Sequence, residues 1–552
     1  MKNPALTITV ALGLGLAGAP ALAGEAACPR PPIGSEVKPP PDLFSKDGKL
    51  ELSFNYFTDI DEVGRTLFCF VTPDGMESPT LHVQPGDQVT VHLTDQVPAA
   101  PMAGEEIVAD KSKVCGATTM TASSVNLHFH GLNITPRCHG DETIHTLINS
   151  GETFDYTFRI PADEPPGLYW YHPHVHGISS QALQGGASGL IEVEGIANLQ
   201  PAVAGLPERY LILRDEQLGF RGLAPAPFWD VSVNYVTVPF PTYKPAIIKM
   251  QRGTEEFWRV ANASANTIMD IKVLYDRVAQ PLQIVALDGV PTGSQDGKHQ
   301  GVIVTQKDVL LPPAARVEFI VKAPGRQVKD ARLVTEGIDG GPSADNNPRR
   351  PLAIIQTADE PVGLPRTDER TGPPNPQRFA NLADAKVTAQ RTLYFYEIPS
   401  IFAGQKNAFR KSLPKGAAGH PPTEAMNFYI TVDGQYNILF DPNNPPSIVT
   451  RRGAVEEWTI QNRTAEVHEF HIHQIHFLVE EENGVKIPKD KQQFYDTHQV
   501  DYWDGDGPYP YIKVKMDFRG PTVGDFVYHC HILDHEDGGM MAIIRVKPNK
   551  KS

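Results

Sequence analysis

Beyond its first 23 residues the chain has no apolar run long enough to cross a bilayer, so no membrane span is expected in the mature protein. Positive charge is short as well. Lys and Arg number 50 against 65 Asp and Glu, giving a net charge of -15 and a pI near 5.7, and a surface of that sign repels the phosphate backbone of nucleic acid. Small molecules or cations are the expected partners. Cysteine is scarce and odd in number: Cys28, Cys69, Cys115, Cys138 and Cys530. Five cysteines leave one thiol over, and Cys530 stands apart with a histidine on each side. The other four can pair in three ways, and export would permit two disulfides among them without fixing which.

Turn-forming residues are plentiful instead. Gly 46 and Pro 50 are spread along the chain, which favours many short strands over long helices and makes an all-β architecture the first expectation. The 552 residues suit about three or four domains. The opening MKNPALTITVALGLGLAGAPALA has one early charge at Lys2, an apolar stretch, and the small-residue end Ala21-Leu22-Ala23, the layout of a signal peptide over 1–23. Thr, Gly and Pro interrupt the stretch, which favours export and cleavage over a membrane anchor. The expected location is periplasmic or secreted, with a mature start near Gly24. Lipid attachment at Cys28 is disfavoured, because Glu25-Ala26-Ala27 lacks the usual large apolar residue.

Three segments repeat one another: VQPGDQVTVHLTD (83–95), MQRGTEEFWRVAN (250–262) and TRRGAVEEWTIQN (450–462). Each sets a turn glycine before an alternating strand, a β-sandwich rhythm, and internal repetition at this spacing implies three related domains. We place them at 48–197, 207–362 and 389–548, with a linker at 363–388. The second and third copies align at an offset of 200. Where the third has His468, His471 and His473, the second has Ile268, Ile271 and Val273, so the middle domain is expected to be structural. The first and third copies also match at their ends, where GLYWYHPHVHG (167–177) lies over GDFVYHCHILD (524–534) with Pro173 at the place of Cys530.

Four His-x-His pairs stand out: His128/His130, His172/His174, His471/His473 and His529/His531. Residues two apart on a strand share a face, so each pair presents two imidazoles together. A single pair also arises on solvated strands, but eight neutral imidazoles in two related domains point to metal. Parity separates a second set, since His468 and Cys530 face away from these pairs. Two histidines, a thiolate and a distant methionine define a blue-copper electron-transfer centre, and His468, Cys530, His535 and Met540 fit its positions. Met541, next to it, is assigned to packing.

These motifs, in this order, resemble the multicopper oxidases, and the three repeats resemble that family's three cupredoxin-like Greek-key β-sandwich domains in tandem. The resemblance implies four copper ions: type 1 on His468, Cys530, His535 and Met540; type 2 on His128 and His471; and a type 3 pair on His130, His172, His531 and on His174, His473, His529. It implies one-electron oxidation at the type 1 centre and reduction of dioxygen to water at a trinuclear cluster between the first and third domains. Oxygen reduction consumes protons, and Glu536 and Asp141 match the family's acidic residues near the cluster. Glu469 replaces a proline usual in the family, and His176 and His476 are extra histidines without an expected ligand role. The remaining histidines, among them His82 and His498, read as ordinary polar residues.

Glu466, Glu469, Asp534, Glu536 and Asp537 give the type 1 neighbourhood an acidic character, suited to attracting a metal ion, to accepting a phenol's proton, or merely to solvation. Ten methionines without a methionine-rich insert disfavour a dedicated cuprous oxidase. The reading is a laccase-like oxidase of phenolic or aromatic donors, with a metallo-oxidase for Cu(I), Fe(II) or Mn(II) second and a non-catalytic envelope scaffold as the alternative of another class. The segment 404–426 is a candidate cover for a substrate pocket. Oligomeric state is not encoded legibly.

Overall fold

The computed structural model describes residues 28–99, 105–106, 111–218, 227–365, 378–399 and 426–549. The leader 1–23, the linker stretch 366–377 and nearly all of the 404–426 segment lie outside the described residues. The described residues fold as three β-sandwiches. In each repeat the glycine (Gly86, Gly253, Gly453) takes a left-handed φ of 94°, 75° and 93°, and leads into strands Gln88–Asp95, Glu255–Asn262 and Val455–Asn462. Glycine enters that region without the Cβ penalty, so the turn is encoded three times. Among the described residues no helix is long and apolar enough to cross a membrane.

In the first sandwich a sheet of Gln88–Asp95, Lys49–Ile60, Thr66–Val71 and Thr153–Arg159 packs on one containing Thr80–Val83, Gly189–Val193, Gly167–His172 and His128–His130. Alternation of apolar and polar residues along Thr153–Arg159 sends Phe154, Tyr156 and Phe158 inward to join Val91, Leu93 and Phe129. The third sandwich repeats the arrangement, with Ile448–Arg451, Met541–Lys547, Gly524–Cys530 and His468–Ile472 adjacent in that order. The histidine-bearing strands are therefore neighbours in both sandwiches. His128 lies directly across from His172, and His471 across from His529. In the middle sandwich Met269–Tyr275 holds the equivalent place, and Ile268, Ile271 and Val273 are buried, the latter two within the apolar core.

Cys28 pairs with Cys69 and Cys115 with Cys138, which selects one of the three pairings and consumes the Cys28 sulfur. Cys530 is free and buried.

Candidate metal centre

Cross-strand pairing within each sandwich, and docking of the first on the third, bring all eight paired histidines to one place. Each is at most 1 % exposed. Burial depresses every one of these imidazoles well below its ordinary pKa, that of His529 to about 3, so all eight are neutral and free to offer a lone pair. Donor atoms gather in sets within 4.8 Å of one another: His130, His172 and His531; His174, His473 and His529; and His128 and His471 together with His130. In the second set the Nε2 atoms of His174 and His473 stand 3.3 and 3.2 Å from His529 Nε2.

Copper fits this donor set, as the ring nitrogens themselves indicate. Metal-binding imidazoles donate their other N–H to an acceptor that fixes the tautomer. His128 Nδ1 donates to Asp141 at 3.0 Å, His172 Nδ1 to the Pro173 carbonyl at 2.8 Å, His471 Nδ1 to the Asp496 carbonyl at 2.8 Å, and His529 Nδ1 to the Cys530 carbonyl at 2.9 Å. His130 is turned the other way, with Nε2 donating to Asp496 Oδ1 at 3.1 Å. The nitrogens that remain on His128, His130, His172 and His471 are buried and find no protein partner.

The second site lies on the opposite face of the Gly524–Cys530 strand. His468 Nδ1 is 3.1 Å from His535 Nδ1, and Cys530 Sγ is 3.6 and 3.7 Å from the same two nitrogens. Three donors at this spacing would be able to hold a single metal ion between them. Met540 is fully buried, its N–H bonded to the His535 carbonyl and its own carbonyl accepting from the Cys530 N–H. Thr464 Oγ1 bonds His468 Nε2 at 2.8 Å, and Phe428 stacks on His535 with ring centroids 4.5 Å apart. Burial raises the Cys530 thiol well above its ordinary value, so a bound metal is what would make it a thiolate. Its Sγ accepts from the Glu469 N–H at 3.3 Å, and the Glu469 carbonyl accepts from the His531 N–H at 2.8 Å. This is a hydrogen-bonded route beside the covalent one from Cys530 to the histidine cluster.

The acidic residues are less solvated than their sequence positions suggest. Glu466, Glu469 and Glu536 are buried, with Glu466 Oε1 3.4 Å from His535 Nε2. Burial pushes Glu466 up to about 7 against the pull of its hydrogen bond with Glu397. Glu536 lies with Oε2 3.1 Å from His529 Nδ1 and Oε1 3.7 Å from His174 Nδ1, and burial raises its pKa. Asp141, pushed up to about 8 by burial, also accepts from the Phe129 N–H at 2.9 Å and from Gln474 Nε2. Asp534 is exposed, and Asp537 caps the helix Ser179–Gln184 through the N–H groups of Gly177 and Ser180. His476 is buried and donates to the Asp288 carbonyl at 2.8 Å, while His176 packs edge-on against Phe440. Sequence reasoning missed Asp496, Arg316 and Asp288. Arg316 binds Asp496 from 180 positions away, a contact no local motif could signal.

Three cupredoxin-type sandwiches carry a Cys/His set and an eight-histidine set, donor sets of the kind that suits copper. Residues 116–197 and 419–550 each match a family described as multicopper oxidase. A multicopper oxidase of Staphylococcus epidermidis is 22% identical over 517 residues, covering 91% of this chain and 88% of its own length. A laccase of Haloferax volcanii is 24% identical over 446 residues, covering 75% and 66%. Among solved structures, an Aquifex aeolicus multicopper oxidase variant superposes with a TM-score of 0.64 at 18% identity, covering 93% of this chain and 99% of that one. One from Campylobacter jejuni, described as a metallo-oxidase, superposes at 0.62 and 20% identity, covering 94% and 96%. The chain is thus similar to multicopper oxidases, a family of copper-dependent oxidoreductases, in the two matched segments and along most of its length.

Proposed function

We propose that the protein oxidises phenolic and related aromatic donors, one electron at a time, at a type 1 copper on His468, Cys530, His535 and Met540, and reduces dioxygen to water at a trinuclear cluster. The type 2 copper would take His128 and His471; the type 3 pair would take His130, His172, His531 and His174, His473, His529. The observation that carries this reading is Cys530, whose Sγ joins one donor set while its two peptide neighbours, His529 and His531, join the other. Bound copper supplies one-electron acceptance at the first set and dioxygen reduction at the second.

The chain's own residues direct the traffic. His535 is 7% exposed whereas His468, Cys530 and Met540 are at 0%, so a donor's electron enters at His535. The Phe428 ring and the Glu466 and Glu397 carboxyls around it suit a flat phenol that gives up its proton as its electron leaves. Reduction of one dioxygen to two waters takes four electrons and four protons. Glu536, between His174 and His529, and Asp141, on His128, lie where protons must be held and handed on. Two disulfides and the leader-like opening support export to the periplasm or beyond.

A metal-ion donor, Cu(I), Fe(II) or Mn(II), is the second reading, favoured by the same carboxyl pair and by the likeness to the Campylobacter metallo-oxidase. A scaffold role would give no reason for two buried donor sets. Copper-loaded protein is expected to be blue with four coppers per chain, and Cys530→Ser to lose the colour. A colourless wild type without stoichiometric copper overturns the oxidase. Oxygen consumption with a phenol, Fe(II), Mn(II) and Cu(I) side by side tests the donor, and turnover with the metal ions alone overturns the phenolic assignment.

A further inference from the structure

The middle sandwich has no histidine pair, yet it reaches the histidine cluster. Arg316, fully buried at the start of strand Arg316–Lys322, donates from Nη1 to Asp496 Oδ1 at 2.8 Å and from Nη2 to Oδ2 at 2.6 Å. Asp496, of the third sandwich, holds two of the paired imidazoles: Oδ1 accepts from His130 Nε2 at 3.1 Å, and the carbonyl accepts from His471 Nδ1 at 2.8 Å. Asp288, in the turn after strand Leu282–Leu287 of the middle sandwich, fixes both partners of the ion pair. Its Oδ1 accepts from the Arg316 N–H at 2.8 Å, and its Oδ2 from the N–H groups of Asp496 and Thr497 at 3.1 and 3.3 Å. Arg316 Nε also donates to the Leu168 carbonyl of the first sandwich at 3.2 Å. All three sandwiches thus meet at one guanidinium.

The fit is close. Gly131, directly after His130, has φ 85°, and a Cβ there would stand 2.6 Å from Arg316 Nη2 and 2.7 Å from Asp496 Oδ2. A buried ion pair adds little net stability compared with apolar residues of the same volume, so stability is a weak account of this one. What the pair does is geometric: by taking His130 Nε2 it turns Nδ1, with no protein partner, toward His172 and His531.

We propose that Arg316, Asp496 and Asp288 form a positioning element that sets the orientation of His130 and His471, so that the middle sandwich governs copper binding at the trinuclear site while leaving the Cys530 site untouched. This rests on the four-copper reading above. The test uses the full chain with Arg316→Met, Asp496→Ala and Asp496→Asn. Copper per chain is measured under chelator titration, together with the blue absorption and the electron paramagnetic resonance signal of the type 2 copper. Arg316→Met and Asp496→Ala are expected to keep the blue absorption, to bind the cluster copper about 10- to 100-fold more weakly, and to show an altered type 2 signal. Asp496→Asn, which retains an oxygen for His130 but not the charge for Arg316, is expected to fall between. Wild-type copper affinity and an unchanged type 2 signal in both Arg316→Met and Asp496→Ala overturn the positioning role and leave the oxidase reading standing. If those variants do not fold, the same wild-type behaviour in Asp496→Asn overturns it. A wild type that binds no copper overturns the reading beneath it instead.

Discussion

His82 is a buried histidine that carries charge, and it allows the docking of the first sandwich on the middle one to be tested by pH. It sits in strand Thr80–Val83 at 5% exposure, with Nε2 3.0 Å from Asp42 Oδ1 and Nδ1 3.2 Å from Glu192 Oε2. Glu192 in turn receives Arg259 Nη2 of the middle sandwich at 2.7 Å. Burial alone would lower the His82 pKa; the hydrogen bonds to Asp42 and Glu192 outweigh it and raise the value from the ordinary 6.5 to about 9. At 1.36 kcal/mol per pH unit, that rise is worth about 3 kcal/mol of folding free energy. Because folding raises the pKa, the contribution is fully present below pH 6.5 and is lost as the pH climbs through about 9. Urea unfolding of copper-free wild type and His82→Gln should therefore differ by about 3 kcal/mol at pH 6, and the gap should shrink toward the residual packing difference at pH 10. Changes in other groups occur in both proteins and cancel in the comparison. A gap that stays constant between pH 6 and pH 10 would refute the argument that His82 is protonated in the fold.

Two further outcomes concern the site. Glu536→Gln preserves the shape of a carboxyl that lies 3.1 Å from His529 but removes its proton-carrying capacity. Oxygen consumption at saturating donor should fall about 100-fold, with copper content and blue colour unchanged, and a wild-type rate would exclude Glu536 from proton supply. The Cys115–Cys138 disulfide closes a segment of sequence separation 23 that contains His128 and His130. Replacing both cysteines by serine should cost about 3 kcal/mol in denaturant unfolding of the first sandwich, and a loss below about 1 kcal/mol would show that the loop is already ordered by its packing.

How much of this was legible in the sequence follows from how local each feature is. The repeat glycines, the alternating strands and the His-x-His pairs are each written within a dozen residues, and strand parity alone separates Cys530 and His468 from the eight imidazoles. Cross-strand register then does in space what the aligned copies suggest in sequence, setting His128 opposite His172 and His471 opposite His529. The disulfide pairing depends on which loops meet, which no single stretch of sequence encodes. Burial was the other gap. Glu469 and Glu536 are both at 0% exposure, Glu536 because the short helix that carries it packs against His174 of the first sandwich.

That gap was widest in the middle sandwich. Aligning the second and third copies asks only what stands at the positions of His468, His471 and His473, and the buried Ile268, Ile271 and Val273 say nothing of the rest of the sandwich. Arg259 and Arg316 lie on paired strands of this sandwich, Glu255–Asn262 and Arg316–Lys322, and both are at most 1% exposed. Arg259 reaches Glu192 of the first sandwich and Arg316 reaches Asp496 of the third. Charges desolvated this fully hold their partners in one geometry, since losing either side leaves an uncompensated buried ion. The sandwich without a histidine pair therefore helps hold the two histidine-bearing sandwiches against each other, alongside their direct contact through Asp537, Gly177 and Ser180.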